Sequence, residues 1–191
     1  MREDALTTRS ESLITGEELV TKEGVGPCEL VEGRIVPMVP TGDEHGGCEA
    51  HFASVLLSFV KPRKLGKVRA GEVGIYTRRN PDTVRAADVL FITKERYAQR
   101  QRKSGYLDVA PDLIVEILSP DDSWSRVMHK LGEYFACGVR LVWVADPETR
   151  TIHSYRSLTD VRVLTEKDHL PGDEVLPGFS VPVASLFDVE A

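Results

Sequence analysis

The chain has 191 residues, 41% of them hydrophobic and 28% charged, a balance that excludes fibrous, collagenous and wholly disordered classes. Its 24 basic and 30 acidic side chains leave a formal charge of -6. That argues against gripping nucleic acid by bulk positive charge, but not against meeting phosphates through a metal held by carboxylates.

At about 100–200 residues per domain, one domain is expected, over residues 13–191 behind a frayed polar tail at 1–12. A short helix follows Thr15, where Glu17, Glu18, Leu19 and Val20 begin a helical pattern. CELVEGRIVPM reads as a hairpin turning at Glu32-Gly33. Phe52, Val55, Leu56 and Phe59 recur at helical spacing and predict a helix over 44–60, stopped by Lys61-Pro62. KVRAGEVGIYT and ADVLFIT are β-type runs, followed by a charged helix over 94–102. LIVEIL is a short buried strand ended by Ser119-Pro120. Residues 123–137 form the clearest second helix, striped by Val127, Leu131, Tyr134 and Phe135 and capped by Gly138. VRLVWVAD, TIHSYR and VRVL are further strands, before a Gly/Pro-punctuated tail ending in VASLF. This mixed order predicts an α/β or α+β sheet flanked by helices, not a doubly wound parallel sheet.

The cysteines, Cys28, Cys48 and Cys137, are odd in number and show no CxxC spacing. The opening MREDALTTRSES lacks the apolar run of a secretory signal, and no apolar run approaches the ~20 residues of a membrane span. Reduced thiols in a cytoplasm are the expectation.

The chemistry concentrates on a few side chains. Alternation along the LIVEIL strand puts Asp112, Ile114, Glu116 and Leu118 on one face, so Glu116 interrupts an apolar row. A buried carboxylate needs a cation, a proton or a metal, and two readings stand: a salt bridge, with Arg126 as one partner, or a catalytic or metal-binding acid. Asp88 opens the apolar run VLFI, and alone it reads as a turn residue. On a neighbouring strand it can share a divalent ion with Glu116. Lys130 lies about 60° from the centre of its helix stripe, either solvated or reaching in from the edge to steady water or phosphate. His45 and Glu49 lie on or beside the inward face of the first long helix, suggesting helix capping for His45 and a salt bridge or a site-lining role for Glu49.

Other chemistries find less support. His45, Cys48 and His51 have zinc-ligand chemistry but no fourth ligand nearby in sequence. There is no GxSxG elbow, no phosphate-binding P-loop and no dinucleotide fingerprint. Cys137 sits at a helix C-terminus, which disfavours a thiolate. Lys94, Arg96, Arg100, Arg102 and Lys103, with Tyr97 and Tyr106, form the densest basic stretch, read either as a grip on phosphates or as a solvated face.

RAADVLFITKER, PDLIVEILSPDDS and KLGEYFACGVRLVWVADP together resemble the Uma-type endonucleases of the restriction-endonuclease-like PD-(D/E)XK superfamily, over roughly residues 15–187. The resemblance implies a central mixed β-sheet flanked by helices, with an N-terminal β-hairpin, and metal-dependent hydrolysis of phosphodiesters, usually in DNA. It makes Asp88 and Glu116 ligands of Mg²⁺ or Mn²⁺, and Glu49 the acid that some members carry on the first helix. Glu72 is an alternative to Glu49, with His45 and Tyr134 as accessories. The residue two after Glu116 is Leu118 where the superfamily usually has Lys, and Lys130 fits the place of a migrated lysine. A homodimer is expected for cutting both strands of a duplex. The competing reading is a non-catalytic descendant, a binding or scaffold protein with Glu116 in a structural ion pair.

Overall fold

A computed structural model describes residues 12–188. The polar tail expected over 1–12 lies, apart from Ser12, outside the described residues.

Helix α1 (Gly16–Thr21) starts at a capping box, with Thr15 accepting from the Glu18 N–H and the Glu18 carboxylate accepting from the Thr15 N–H. The predicted hairpin forms from β1 (Cys28–Val31) and β2 (Arg34–Pro37). Its two turn residues, Glu32 and Gly33, have φ of 51° and 77°, the primed turn whose twist matches that of the strands.

Helix α2 (Asp43–Arg63) overruns its predicted end. Pro62 falls in the last turn, where its missing N–H costs the helix only the one hydrogen bond to the Ser58 carbonyl. The helix stops instead at Lys64, in the left-handed region with φ of 54°. Strands β3 (Gly66–Arg78) and β4 (Thr83–Thr93) form a long antiparallel pair, interrupted by a bulge between Ala70 and Val73. The charged helix expected over 94–102 shortens to α3 (Lys94–Ala98). Asp108 accepts from the N–H groups of Gln101 and Arg102 and so diverts the backbone from the helix.

Strand β5 (Leu113–Ile117), helix α4 (Trp124–Cys137) and strand β6 (Leu141–Asp146) follow as a parallel crossover. Ser123 caps α4 at its start, and Gly138, at φ of 105°, ends it. Strands β7 (Thr151–Ser157) and β8 (Asp160–Leu164) extend the sheet, and β9 (His169–Pro171), β10 (Ser180–Pro182) and α5 (Ala184–Phe187) close the chain.

The main sheet has eight strands in the order β2-β1-β4-β5-β6-β7-β8, with β3 also paired to β4. Only β5 and β6 run parallel, so the sheet is mixed, as the element order predicts. Strand alternation sorts two cores. Leu113, Val115 and Trp143 pack with Phe52 and Leu56 of α2 and with Phe179. Ile114, Val142 and Val144 pack with Val127, Leu131 and Tyr134 of α4. Among the described residues no helix is long and apolar enough to cross a membrane.

Candidate active site

The sheet forks along one edge of β4. Strand β3 covers the other edge, while β1 pairs with β4 only at Val84 and β5 only at residues 89–91. Residues 85–88 lie between those two partners. Backbone groups buried at such a gap must find other bonds. Here charged side chains supply them. The Ala86 N–H donates to Glu29 Oε1 at 2.9 Å, and the Ala86 carbonyl accepts from Lys130 Nζ at 2.8 Å. Across the fork the Ile117 N–H donates to Asp88 Oδ2 at 2.6 Å.

Glu116 lies on the α4 side of β5 and is 8% exposed. Lys130 and Tyr134, one helical turn apart on α4, both reach it. Lys130 Nζ is 2.6 Å from Oε2, and the Tyr134 hydroxyl donates to Oε1 at 2.6 Å. Burial pushes the Glu116 carboxyl up to about 7, and the charge of Asp88 adds to that, against the pull of Lys130 and Tyr134. Burial works against the Lys130 ammonium, but Glu116, Glu29 and Asp88 outweigh it and raise its pKa, so Lys130 is a cation. Burial and the neighbouring Glu116 keep the Tyr134 phenol protonated.

Glu29 and Arg85 belong to this cluster, and the sequence reading missed them. Lys130 Nζ is 3.5 Å from Glu29 Oε1, and Arg85 binds Glu29 at 2.7 Å and Glu133 through two nitrogens at 2.6 and 2.8 Å. Burial opposes the Glu29 charge, but Lys130 and Arg85 hold its pKa below the usual range. In sequence Glu29 is one polar residue in a hairpin strand, and only the pairing of β1 with β4 brings it to Lys130. Arg126, considered as the partner of Glu116, donates instead to the Asp121 carbonyl at 2.8 Å.

His45 does not cap its helix. The N-cap of α2 is Gly42, and His45, buried in the first turn, places Nε2 3.5 Å from Asp88 Oδ2. Burial disfavours its charged form, but the hydrogen bond and charge of Asp88 prevail and raise its pKa. Glu49, one turn further, accepts from the Gly71 N–H at 2.6 Å in the β3 bulge. Burial raises its pKa, with further repulsion from Asp88 and Glu72. Glu72 sits in that bulge at φ of 50°.

Among the described residues no group of three or more His, Cys, Asp and Glu side chains is placed to hold a metal ion. This covers both the Asp88, Glu116 and Glu49 set and the His45, Cys48 and His51 set; Cys48 packs into the α2 core. Asp88 and Glu116 remain as a pair of carboxylates at the fork. Leu118, at the position of the usual lysine, packs against the α4 core.

The basic stretch is largely consumed within the protein. Arg96 lies 3.3 Å from Asp112 and donates to the carbonyls of Ala110, Pro111 and Gly138. Arg100 bonds the Tyr97 hydroxyl, and Arg102 bonds Glu17. Three arginines so engaged make this stretch a structural tie more than a phosphate grip. Beside the fork, a cleft of about 380 Å³ runs past His45, Leu118 and Trp124.

A mixed sheet that forks at a buried carboxylate pair, with helices on both faces, is the restriction-endonuclease-like fold. A crystal structure from Anabaena variabilis, described as a "putative nuclease belonging to DUF820", is similar to this chain with a TM-score of 0.76 and 24% identity, covering 92% of this chain and 98% of that one. The model of the Uma2 family, described as "Putative restriction endonuclease", matches residues 23–184, and the chain belongs to that family. No curated protein matches the chain.

Proposed function

We propose that the protein is a metal-dependent endonuclease that hydrolyses phosphodiester bonds in DNA, with Asp88 and Glu116 holding Mg²⁺ or Mn²⁺ and Lys130 acting beside them. The observation that carries this reading is the excess of buried negative charge at the fork. Glu29, Asp88 and Glu116 share Lys130, with His45 beside Asp88 as the one further basic group among the described residues, while Arg85 is divided between Glu29 and Glu133. A divalent cation relieves that excess. Mg²⁺ commonly takes only one or two carboxylates and keeps several waters, so an acidic pair fits it where a three-ligand cage is missing. Bound there, the ion supplies Lewis-acid help to the phosphate and lowers the pKa of its water.

The chain's own groups divide the remaining work. Lys130, held protonated, steadies charge that develops on the phosphate. Tyr134 and the Lys130 ammonium fix the Glu116 carboxylate, and the Ile117 N–H fixes that of Asp88. Glu29 and the Ala86 carbonyl hold the Lys130 amine in place. Glu49 adds negative charge from the next turn of α2. A homodimer would give two sites for the two strands of a duplex. The three cysteines are free, which suits a cytoplasmic setting.

One observation favours the second reading, a non-catalytic binding or scaffold protein. Both oxygens of Glu116 are already bonded, to Lys130 and Tyr134. Calorimetric titration with Mn²⁺, in wild type and Glu116→Gln, separates the two. Binding lost in the variant, with cleavage of single- or double-stranded DNA by the wild type, supports the nuclease. No Mn²⁺ binding to the wild type, even with DNA present, defeats it and leaves the scaffold.

A further inference from the structure

We infer that the cleft beside the fork is a nucleobase pocket, in which an unpaired base of the substrate strand stacks on Trp124 and turns its N–H donors to an acidic wall. The inference rests on the nucleic-acid reading above and names the substrate form. At about 380 Å³ the cleft is in the size range of small-ligand sites. It adjoins the fork through His45, which contacts Asp88, and through Leu118, two residues past Glu116.

Trp124 is the first residue of α4 and is 45% exposed, and it belongs to neither apolar core. Its ring is nonetheless held. It rests 4.9 Å from the His153 ring, which in turn stacks at 16° on Tyr155. An exposed indole propped by a row of rings from β7 is a preorganised stacking platform, and base-on-aromatic stacking is how unpaired strands are gripped.

The lining selects bases over phosphates. It contains no Lys or Arg, so a phosphate is repelled there. Asp122 and Asp146 are spent on backbone N–H groups of their own loops. Asp43, Glu44 and Glu148 make no side-chain hydrogen bond among the described residues and are left as acceptors. Cytosine, adenine and guanine carry amino donors that carboxylates accept, whereas unpaired thymine offers only its N3–H, flanked by two carbonyls that an acidic wall repels. At the inner end the cleft is lined by the buried His45, whose Nε2 is turned to Asp88. A base enters such a pocket from a duplex only by unstacking, so single strands, flaps and frayed ends are favoured.

Tryptophan fluorescence tests this in EDTA, without metal or cleavage. The chain has two tryptophans, and Trp143 is fully buried, so a change on titration reports Trp124. Short oligo(dC) is expected to quench the emission to saturation, oligo(dT) to bind more weakly, and a blunt duplex at equal concentration to leave it unchanged. By anisotropy of labelled oligo(dC), Trp124→Ala weakens binding about 5- to 100-fold, and Trp124→Phe largely restores it. Thermal melts of the variants establish that they are folded. No quenching by oligo(dC), equal quenching by duplex, or unchanged affinity in Trp124→Ala overturns the inference. Quenching without cleavage in Mg²⁺ would leave the pocket and remove the nuclease. Cleavage without quenching would do the reverse.

Discussion

Asp112, just before β5, and Glu116, near its end, stand four residues apart, both buried, in opposite electrostatic surroundings. Asp112, 1% exposed, accepts from the Thr93 N–H at 2.8 Å and faces Arg96 at 3.3 Å and Arg140 at 3.5 Å. One anion there has two cations. Glu116 shares a single lysine with Glu29 and feels Asp88 as a like charge. A buried acid whose charge its own protein neutralises holds strands together. On the function proposed above, a buried acid left in excess is a place for a cation from outside.

The largest effect expected from this contrast is on cleavage. Glu116→Gln or Asp88→Asn should reduce the cleavage rate by on the order of a thousandfold or more, measured on plasmid and oligonucleotide substrates. Asp112→Asn should leave that rate within a few-fold at a temperature where the variant is folded. Equal losses at Asp112 and at Glu116 would erase the distinction. Lys130→Ala should cost about a hundredfold in kcat, as loss of a cation that stabilises charge on the phosphate.

Stability should follow the reverse pattern. Asp112→Ala leaves Arg96 and Arg140 without their carboxylate and should cost about 3 kcal/mol, roughly 6–12 °C in Tm by calorimetry. Glu116→Gln should cost little in EDTA at pH 8, because it removes a charge that is poorly compensated there. Its pH dependence has a definite sign. The folded pKa of Glu116, about 7, is above its ordinary 4.5, so its contribution to stability is complete at lower pH and is lost as pH rises through 7. Metal-free wild type should therefore lose up to about 3 kcal/mol from this group between pH 4.5 and pH 8. Glu116→Gln should lack that component, and Mn²⁺ should offset it in the wild type.

The smallest effect sharpens the contrast from the side of Lys130. Glu29→Gln keeps an acceptor for the Ala86 N–H and removes one of the charges that hold Lys130. It should lower kcat about tenfold with KM unchanged, and have no further effect in a Lys130→Ala background.

The sequence alone determines the elements with strong local signals. The Thr15 capping box, the Glu32-Gly33 turn, the α4 stripe ending at Gly138 and the mixed order of strands depend on neighbours a few residues apart. Glu116 and Asp88 were legible for a similar reason, since a carboxylate within or beside an apolar run needs a partner wherever the strand goes. The motifs around them carried the family. Partners were another matter. Lys130 rather than Arg126 meets Glu116, His45 turns to Asp88 rather than capping its helix, and Glu49 is drawn to the Gly71 N–H. Glu29 and Arg85 reach the cluster from 101 and 45 positions before Lys130 along the chain. The basic stretch lost its freedom to Asp112, Asp108 and Glu17, none predictable from its own composition. Local spacing fixes which way a side chain leaves its helix or strand, but the forked edge of β4 decides which charges meet, because ion pairing depends on distance through space and on burial, and both are set by the fold.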